Sequence, residues 1–256
     1  MGILNLTPDS FFDGGLYTNL DSAVAHAKKM QADGADIIDI GAQSTRPGHV
    51  PVSKELEEER LLPILNALKN EITIPISVDT FYYDVALKAI DLGAEIINDI
   101  SGGKNKQLLN LVASSKCGYI LTHPLKEYYS DIITDINDFF ETRLHDCAAL
   151  GMDKQYICLD PGLGFVTDPK DNLKILNKTN EINIHDTAYL IGASNKRFIG
   201  TYSASPLMNE RLFGTIAANT IAILNGANFI RVHNVDECKK AVVFCDSYLK
   251  NNQANI

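Results

Sequence analysis

Short apolar runs rich in β-branched residues alternate with longer segments of helical periodicity along the whole chain. Eight of these runs are predicted as strands, at residues 2–6, 37–41, 75–79, 96–99, 119–122, 156–160, 188–192 and 229–232. Most are apolar throughout rather than at every second position, which is typical of parallel strands buried on both faces. The 256 residues divided by eight strands give 32 residues for each repeat. That is about the size of one strand-helix unit.

This alternation predicts an α/β fold in one domain, residues 1–256, with eight strands and their helices arranged as a (β/α)8 TIM barrel. A doubly wound sheet is the main alternative. We disfavour it because no Gly-x-Gly-x-x-Gly motif follows the first strand. In addition, no change of composition divides the chain into two halves.

Several helix starts can be located from side chains that cap the first turn. Ser53 is followed by an acidic run at 55–59, which suits the positive end of a helix dipole. We interpret that run as a solvated helix face rather than a metal site. The remaining predicted starts are Asp168-Pro169, Ser205-Pro206, and Asn234 with Glu237.

The charge and the cysteine pattern exclude several classes of protein. The formal net charge is -9 and no basic stripe is present, whereas nucleic acids and anionic membranes are bound through clustered Lys and Arg. No apolar run reaches the length of about 18 residues that a transmembrane helix needs, and residues 1–5 lack the basic start of a signal peptide. The five cysteines contain no Cys-x-x-Cys motif. We therefore expect reduced core thiols and a cytoplasmic protein.

Polar side chains stand at the end of nearly every predicted strand. In a TIM barrel these ends meet at one face, where the chemistry of the fold takes place. A single buried Asp at such a place often only caps the next loop, but a complete ring favours a functional site. The ring consists of Asn5, Asp39, Asp79, Asn98, Asp99, His123, Asp160, Ser194, Lys196, Arg231 and His233.

The ring divides into two chemical groups. Asp79, Asn98 and Asp160 offer acceptors that would suit a planar heterocycle with an amidine or guanidine edge. The basic group indicates an anion site, and it consists of Arg46, Lys196, Arg231 and His233. Because strand residues two apart share a face, Arg231 and His233 are predicted to form a phosphate clamp. The loops at 7–15 and 42–51 are predicted to overhang the site and exclude water.

Seven short motifs in this chain resemble those of the dihydropteroate synthases, enzymes of the folate pathway. They follow the family's order from residue 2 to residue 233. The motifs lie at 2–11 (GILNLTPDSF), 44–48 (STRPG), 77–80 (SVDT), 97–100 (INDI), 160–165 (DPGLGF), 194–196 (SNK) and 231–233 (RVH).

The resemblance implies a transferase that joins 6-hydroxymethyl-7,8-dihydropterin diphosphate to p-aminobenzoate, giving 7,8-dihydropteroate and pyrophosphate. In this family pyrophosphate leaves first, and the arylamine attacks the resulting cationic methylene carbon. The resemblance also implies Mg2+ as cofactor, sulfonamides as inhibitors that mimic p-aminobenzoate, and a homodimer formed through late helices at 206–226 and 235–250.

The same resemblance assigns roles to individual residues. The pterin ring would be held by Asp79, Asn98, Asp160 and Lys196. The diphosphate would be held by Arg231, His233 and Asn5, with Arg46 oriented towards this diphosphate. Mg2+ would lie near Asn5. The aminobenzoate slot would be lined by Thr45, Pro47, Phe165 and Ser194. The residues given a catalytic role are Asp79, Asp160, Lys196, Arg231 and His233.

The chain departs from the family pattern at a few positions. Asn195 stands where most relatives have Arg, Thr167 replaces a basic residue, and Pro124 follows His123 where relatives have Met. The first predicted strand begins without the leader that usually precedes it.

Two other functions stay open from the sequence. One is a methyltransferase that uses methyltetrahydrofolate and a corrinoid protein, for which the phosphate clamp would have no use. The other is a catalytically silent barrel that binds a ligand or partner.

Overall fold

Eight strands alternate with helices in the computed structural model, which describes residues 1–6, 16–43, 52–124, 129–165, 168–182 and 187–253. The strands are β1 (Gly2–Asn5), β2 (Ile38–Gly41), β3 (Ile76–Asp79), β4 (Ile96–Asp99), β5 (Gly118–Thr122), β6 (Ile157–Asp160), β7 (Ala188–Ile191) and β8 (Phe229–Ile230). The helices of this described part are α1 (Leu16–Ala32), α2 (Lys54–Leu68), α3 (Tyr83–Asp91), α4 (Lys106–Ser115), α5 (Ile132–Ala149), α6 (Pro169–Asn177), α7 (Arg197–Tyr202), α8 (Leu212–Leu224) and α9 (Val235–Gln253).

All eight strands are parallel and lie in chain order in one sheet, from β1 to β8. Each predicted strand is confirmed to within two residues. The last one is regular only at Phe229–Ile230, although Arg231 still donates its N–H to Ile191 O. Hydrogen bonds also join the residues after β8 to β1, since Ile3 N–H donates to Val232 O at 2.9 Å. Gly2 and Val232 form a parallel bridge.

The sheet is buried on both faces, as the continuous apolar runs predict. Every residue of β2 and β3 is buried. Helix α1 buries Ala23, Ala27 and Met30, which recur at helical spacing on one face and join Ile38 and Ile40 in one apolar cluster. Burying a side chain the size of Met30 or Ile38 contributes roughly 1.5–3 kcal/mol to the free energy of folding. Replacing either of them with Ala would cost about 2–5 kcal/mol.

Two of the predicted helix starts are confirmed by the hydrogen bonds that cap them. The Asp168 carboxylate accepts from Lys170 N–H at 2.8 Å, with Pro169 in the first turn of α6. The Ser53 hydroxyl accepts from Leu56 N–H at 3.3 Å at the start of α2. Helix α9 begins directly after Asn234, as expected.

The predicted helix start at Ser205-Pro206 is wrong. Helix α8 begins at Leu212, and only a 310 turn at Met208–Glu210 precedes it. The Arg211 guanidinium donates hydrogen bonds to the carbonyls of Ser205 and Pro206, so these carbonyls do not take part in a helix. Those two residues therefore hold a connection in place instead of opening a helix.

The acidic run at the start of α2 is only partly a solvated face. Glu55 and Glu59 are exposed as expected, but Glu57 is fully buried. Its carboxylate accepts from the side-chain amide of Gln43, and burial raises the pKa of Glu57. The solvated-face interpretation is wrong for this residue.

All five cysteines are free thiols. Four of them are buried, as predicted for core thiols, and Cys158 is half-buried. Within the described ranges, no helix is long and apolar enough to cross a membrane.

Candidate functional site

Asp79 and Asn98 lie side by side at the carboxyl ends of β3 and β4. The strand register pairs them directly, and it places Gly41 of β2 on the other side of Asp79. Both side chains are buried. The Asn98 Oδ1 atom is buried and accepts no hydrogen bond from any described residue. Because an unsatisfied buried acceptor is costly, this oxygen is a candidate contact for the N–H group of a ligand.

Arg231 lies across the same carboxyl ends and is held by two carboxylates. Its Nε donates to Asp39 Oδ2 at 2.6 Å, and its Nη2 donates to Asp79 Oδ2 at 3.1 Å. Asp39 also accepts from Asn98 Nδ2 at 3.2 Å. The guanidinium is thus oriented by acidic residues of two strands, which leaves its Nη1 edge for an anion.

The burial of these carboxyl groups raises their affinity for protons. Burial raises the pKa of Asp79 to about 7, with the Arg231 charge opposing this and the Asp39 charge adding to it. Burial also raises the pKa of Asp160, although the Gly162 N–H donates to its Oδ1 at 2.8 Å and Lys196 is nearby. Perturbed carboxyl groups that share a cleft with cations are typical of functional sites.

Lys196 approaches this cluster from the turn after β7. Its Nζ lies 4.5 Å from the centroid of the Phe165 ring, in a cation–π contact. Burial lowers the pKa of Lys196 to about 8, against the raising effect of the Asp160 charge. Gly164 lies against this side chain, because a Cβ there would lie 2.5 Å from Lys196 Cδ, and its φ of +86° favours glycine.

The turn that carries Lys196 is held by Thr215 of α8 and by Arg211, which directly precedes that helix. Asn195 has a φ of 58°, in the left-handed region that Asn tolerates better than most residues. Its N–H donates to Thr215 Oγ1 at 3.1 Å, and its carbonyl accepts from Arg211 Nη1 at 2.9 Å. The Asn that departs from the family pattern therefore suits the backbone of this turn.

Ser194 and His233 form a second group beside the first. The Ser194 hydroxyl is 2.9 Å from His233 Nδ1 and accepts from the His233 N–H at 3.2 Å. The direction of the bond between Ser194 Oγ and His233 Nδ1 depends on the tautomer and charge of the imidazole. His233 is exposed and Ser194 is buried. Asn5 ends β1 with a half-buried side chain.

Two residues of the predicted ring do not belong to the site. His123 is buried, with its Nε2 at 3.0 Å from Asp135 Oδ2 of α5 and its ring edge-on to Phe139. Asp99 accepts from Tyr119 Oη at 2.7 Å and from backbone N–H groups of the following turn. His123 therefore links the sheet to α5, and Asp99 holds Tyr119 of β5 and the turn after β4.

Other predicted residues lie outside the described part of the chain. These are Thr45, Arg46, Pro47 and Thr167, and with them the loop at 7–15 and most of the loop at 42–51.

Three residues that shape the site have no role that the sequence pattern indicates. Asp39 is only one member of the strand-end ring, and no pattern marks Arg211 or Ser77. Ser77 Oγ donates to Asp39 Oδ1 at 2.6 Å. The available signal was the Asp at the centre of the apolar run at 37–41, where a charge must have an internal partner.

Comparisons with known proteins identify the family of this chain. Residues 1–233 match the family described as "Pterin binding enzyme". The dihydropteroate synthase of Bacillus subtilis is 40% identical over 252 residues, which cover 97% of this chain and 88% of that protein. A solved dihydropteroate synthase of Xanthomonas albilineans with 4-aminobenzoic acid has a TM-score of 0.93 and 35% identity, covering 97% of this chain and 92% of that one.

A longer relative is the mitochondrial folate synthesis bifunctional protein of Pisum sativum. It is 40% identical over 282 residues, which cover 100% of this chain and 54% of that protein. The chain thus spans about half the length of this bifunctional relative and most of the length of the bacterial synthase.

Proposed function

The chain belongs to the family of pterin-binding enzymes, and we propose that it acts as a dihydropteroate synthase. The reaction joins 6-hydroxymethyl-7,8-dihydropterin diphosphate to p-aminobenzoate, with release of pyrophosphate. The observation that carries the proposal is the meeting of Asp79, Asn98 and Arg231 at the carboxyl ends of β3, β4 and β8, with a buried Asn98 amide oxygen that has no donor among the described residues. A methyl-transfer reaction would have no use for the cations that lie beside these acceptors.

The acceptors suit the edge of a pterin ring, which carries several N–H donors. The Asn98 Oδ1 atom and the carboxylates of Asp79 and Asp160 would accept these hydrogen bonds in a partly desolvated site. Lys196 would donate to the acceptor side of the same ring. Its ammonium is already oriented by the Phe165 ring, so little conformational freedom is lost on binding.

The cations suit the diphosphate leaving group. Nη1 of Arg231 makes no hydrogen bond to any described residue, and the hydrogen bond between Ser194 and His233 Nδ1 holds the imidazole in one orientation beside it. We further propose Mg2+ near Asn5. The described residues contain no cluster of three acidic, His or Cys side chains that could hold a metal by themselves. The amide oxygen of Asn5 therefore fits only a Mg2+ that takes its other ligands from phosphate oxygens and water, as this ion commonly does. When bound, Mg2+ supplies positive charge to the leaving group.

The chemical step is a dissociative substitution at the exocyclic methylene carbon of the pterin. The C–O bond to the diphosphate breaks first, and pyrophosphate leaves with the electron pair. The neutral arylamine then attacks the cationic carbon and later loses its proton. This chain's residues neutralise the leaving group and align the amine, which are the electrostatic and positional contributions to catalysis. The aminobenzoate slot is proposed beside Phe165 and Ser194. The family resemblance adds Thr45 and Pro47 to this slot and assigns Arg46 to the diphosphate.

Four further properties are part of the proposal. The bonds between Ile3 and Val232 support a sheet closed into a (β/α)8 barrel, and we propose that residues 1–256 form this single domain. A homodimer through α8 and α9 is supported by exposed apolar residues on these packed helices, among them Phe213 at 83% and Phe244 at 71% exposure. The free cysteines support a cytoplasmic location. We propose no nucleic-acid or membrane partner, because the net charge is -9.

The test is a pyrophosphate-release assay on the purified protein, with the pterin diphosphate alone and with p-aminobenzoate added. We expect release that depends on both substrates and is inhibited competitively by a sulfonamide against p-aminobenzoate. A protein that releases no pyrophosphate, or releases it equally without p-aminobenzoate, would not be a synthase.

Two variants connect this activity to the site. Lys196→Ala and Asp160→Asn are each expected to lower turnover by orders of magnitude while the melting temperature stays close to that of the wild type. Near-normal turnover in either purified variant would contradict the placement of the pterin ring. Noncompetitive inhibition by the sulfonamide would contradict the placement of the slot beside Phe165.

A further inference from the structure

Asp39 is a carboxylate that the proposed reaction does not use directly. It lies inside β2, and its side chain is fully buried, with 0% exposure. A buried charge in a parallel sheet is unfavourable unless internal donors satisfy it. Asp39 has three such donors, which are Ser77 Oγ, Asn98 Nδ2 and Arg231 Nε. With no exposed surface and both oxygens bonded, Asp39 does not contact a substrate.

The contact with Asn98 decides which way the amide of that residue points. Because Nδ2 donates to Asp39 Oδ2 at 3.2 Å, the other end of the amide, Oδ1, is turned away from Asp39. That oxygen is the buried acceptor without a partner in the described part of the chain. Asp39 thereby presents an acceptor, and not a donor, to the ligand.

The contact with Arg231 decides the plane of the guanidinium. Nε bonds to Asp39 at 2.6 Å and Nη2 bonds to Asp79 at 3.1 Å, so the side chain is held at two points on one edge. A guanidinium fixed in this way keeps its remaining edge in one direction, which is the preorganisation that anion recognition needs.

We propose that Asp39 is a positioning residue for both halves of the pterin diphosphate, because it fixes the Asn98 amide and the Arg231 guanidinium at the same time. The inference rests on the proposed function, since the two groups are useful together only to a substrate with a hydrogen-bonding ring and an anionic tail. The hydrogen bonds of Asp39 go to Ser77, Asn98 and Arg231 and not to Phe165 or Ser194, so we expect no direct effect on the aminobenzoate slot.

Asp39 also influences how Asp79 titrates. The charges that act on the pKa of Asp79 are those of Arg231 after β8, Asp39 from β2, Glu57 from α2 and, more weakly, Asp99 from β4. The charge of Asp79 in turn acts on the pKa of Lys196 after β7. The negative charge of Asp39 favours the protonated form of Asp79. Removing that charge, and leaving Arg231 to Asp79 alone, both lower the pKa of Asp79.

The experiment compares Asp39→Asn with Asp99→Asn. Asp99 is an equally buried strand-end carboxylate, but its donors, Tyr119 and two backbone N–H groups, lie away from the site. For Asp39→Asn we expect kcat/KM for the pterin diphosphate to fall by about 100-fold. The KM for p-aminobenzoate should stay within about twofold, and the acid limb of the pH profile should move to lower pH. For Asp99→Asn we expect a lower melting temperature with both KM values nearly unchanged.

The inference is overturned if Asp39→Asn keeps the wild-type KM for the pterin diphosphate, or if the KM values of both substrates rise together as the melting temperature falls. Should Asp39→Asn fail to fold, Ser77→Ala serves as the second variant, since it removes only the donor to Asp39 Oδ1. We expect it to raise the KM for the pterin diphosphate several-fold. An unchanged pterin KM in Ser77→Ala would count equally against the inference. Failure of the proposed function would instead appear in the wild type, which would show no turnover. Calorimetric binding of the pterin diphosphate then compares the wild type with Asp39→Asn directly, and equal affinities would overturn the inference.

Discussion

The change Gly164→Ala tests whether the position of Lys196 controls activity. A Cβ at this place would lie 2.5 Å from Lys196 Cδ and 3.1 Å from Cγ and Cε. Carbon atoms in contact are normally about 3.5–4.0 Å apart. The Lys196 side chain must therefore move by about 1 Å or more, which takes its ammonium away from the Phe165 ring. A misplacement of about 1 Å in a site costs roughly 100-fold in rate.

The same change also strains the backbone, because the φ of Gly164 is +86°. An L-residue in the left-handed region costs about 1–2 kcal/mol, and the lower entropy of the unfolded chain with Ala offsets about 0.4–1 kcal/mol of this. Gly151 provides the matched control. Its φ is +75°, and a Cβ there would have no neighbour within 4 Å.

We expect both variants to lose a few degrees in melting temperature, since about 1 kcal/mol corresponds to roughly 2–4 °C in a chain of this size. Only Gly164→Ala should lose about 100-fold in kcat/KM for the pterin diphosphate, while Gly151→Ala should stay within about twofold of the wild type. Calorimetry and the pyrophosphate-release assay measure the two effects. The reasoning is refuted if Gly164→Ala is as active as Gly151→Ala, or if both lose activity equally.

Three more predictions follow from the site and the surface. The kcat/KM should rise as pH passes about 7, where Asp79 becomes an ionised acceptor, and fall as pH passes about 8, where Lys196 loses its charge. A profile that is flat across this window would contradict the roles of both groups. Arg211→Lys can keep only part of the three carbonyl contacts to Asn195, Ser205 and Pro206. It should lower the free energy of unfolding by about 1–3 kcal/mol, measured in urea, and reduce turnover because the turn with Lys196 loosens. Turnover equal to that of the wild type would argue against that link. The double change Phe213→Asp with Phe244→Asp should give a monomer in sedimentation analysis, whereas a wild type that is already monomeric would exclude the proposed dimer.

The strands and their order could be predicted from the sequence because apolar runs that are buried on both faces leave a strong local signal. The caps at Ser53 and Asp168 could be predicted for the same reason, since a cap depends on residues within one turn. Ser205-Pro206 has the same local pattern, but Arg211 binds its carbonyls from outside that turn. A non-local contact of this kind leaves no mark in the segment itself.

The site could be predicted only in part. A place at a strand end puts a side chain at the carboxyl-end face of the sheet, but it does not determine which way the side chain points. Successive residues of a strand face opposite sides. Asn98 contacts Asp39 in the site, whereas its neighbour Asp99 contacts Tyr119 on the other side. His123 likewise turns to α5. The role of Asp39 depends on Arg231, which is 192 residues away, so no local pattern could indicate it.

The distance along the chain between Asp39 and Arg231 has a consequence for how the protein is made. During synthesis β2 emerges long before the cation that neutralises its carboxylate, and an unpaired charge in the interior costs several kcal/mol. A nascent chain that ends before residue 231 is therefore held back from burying Asp39 in its final place. The segment directly after β8 brings both an electrostatic partner for Asp39 and hydrogen bonds for β1. Closing of the sheet at β1 and assembly of the site thus depend on the same short segment, Arg231 and Val232.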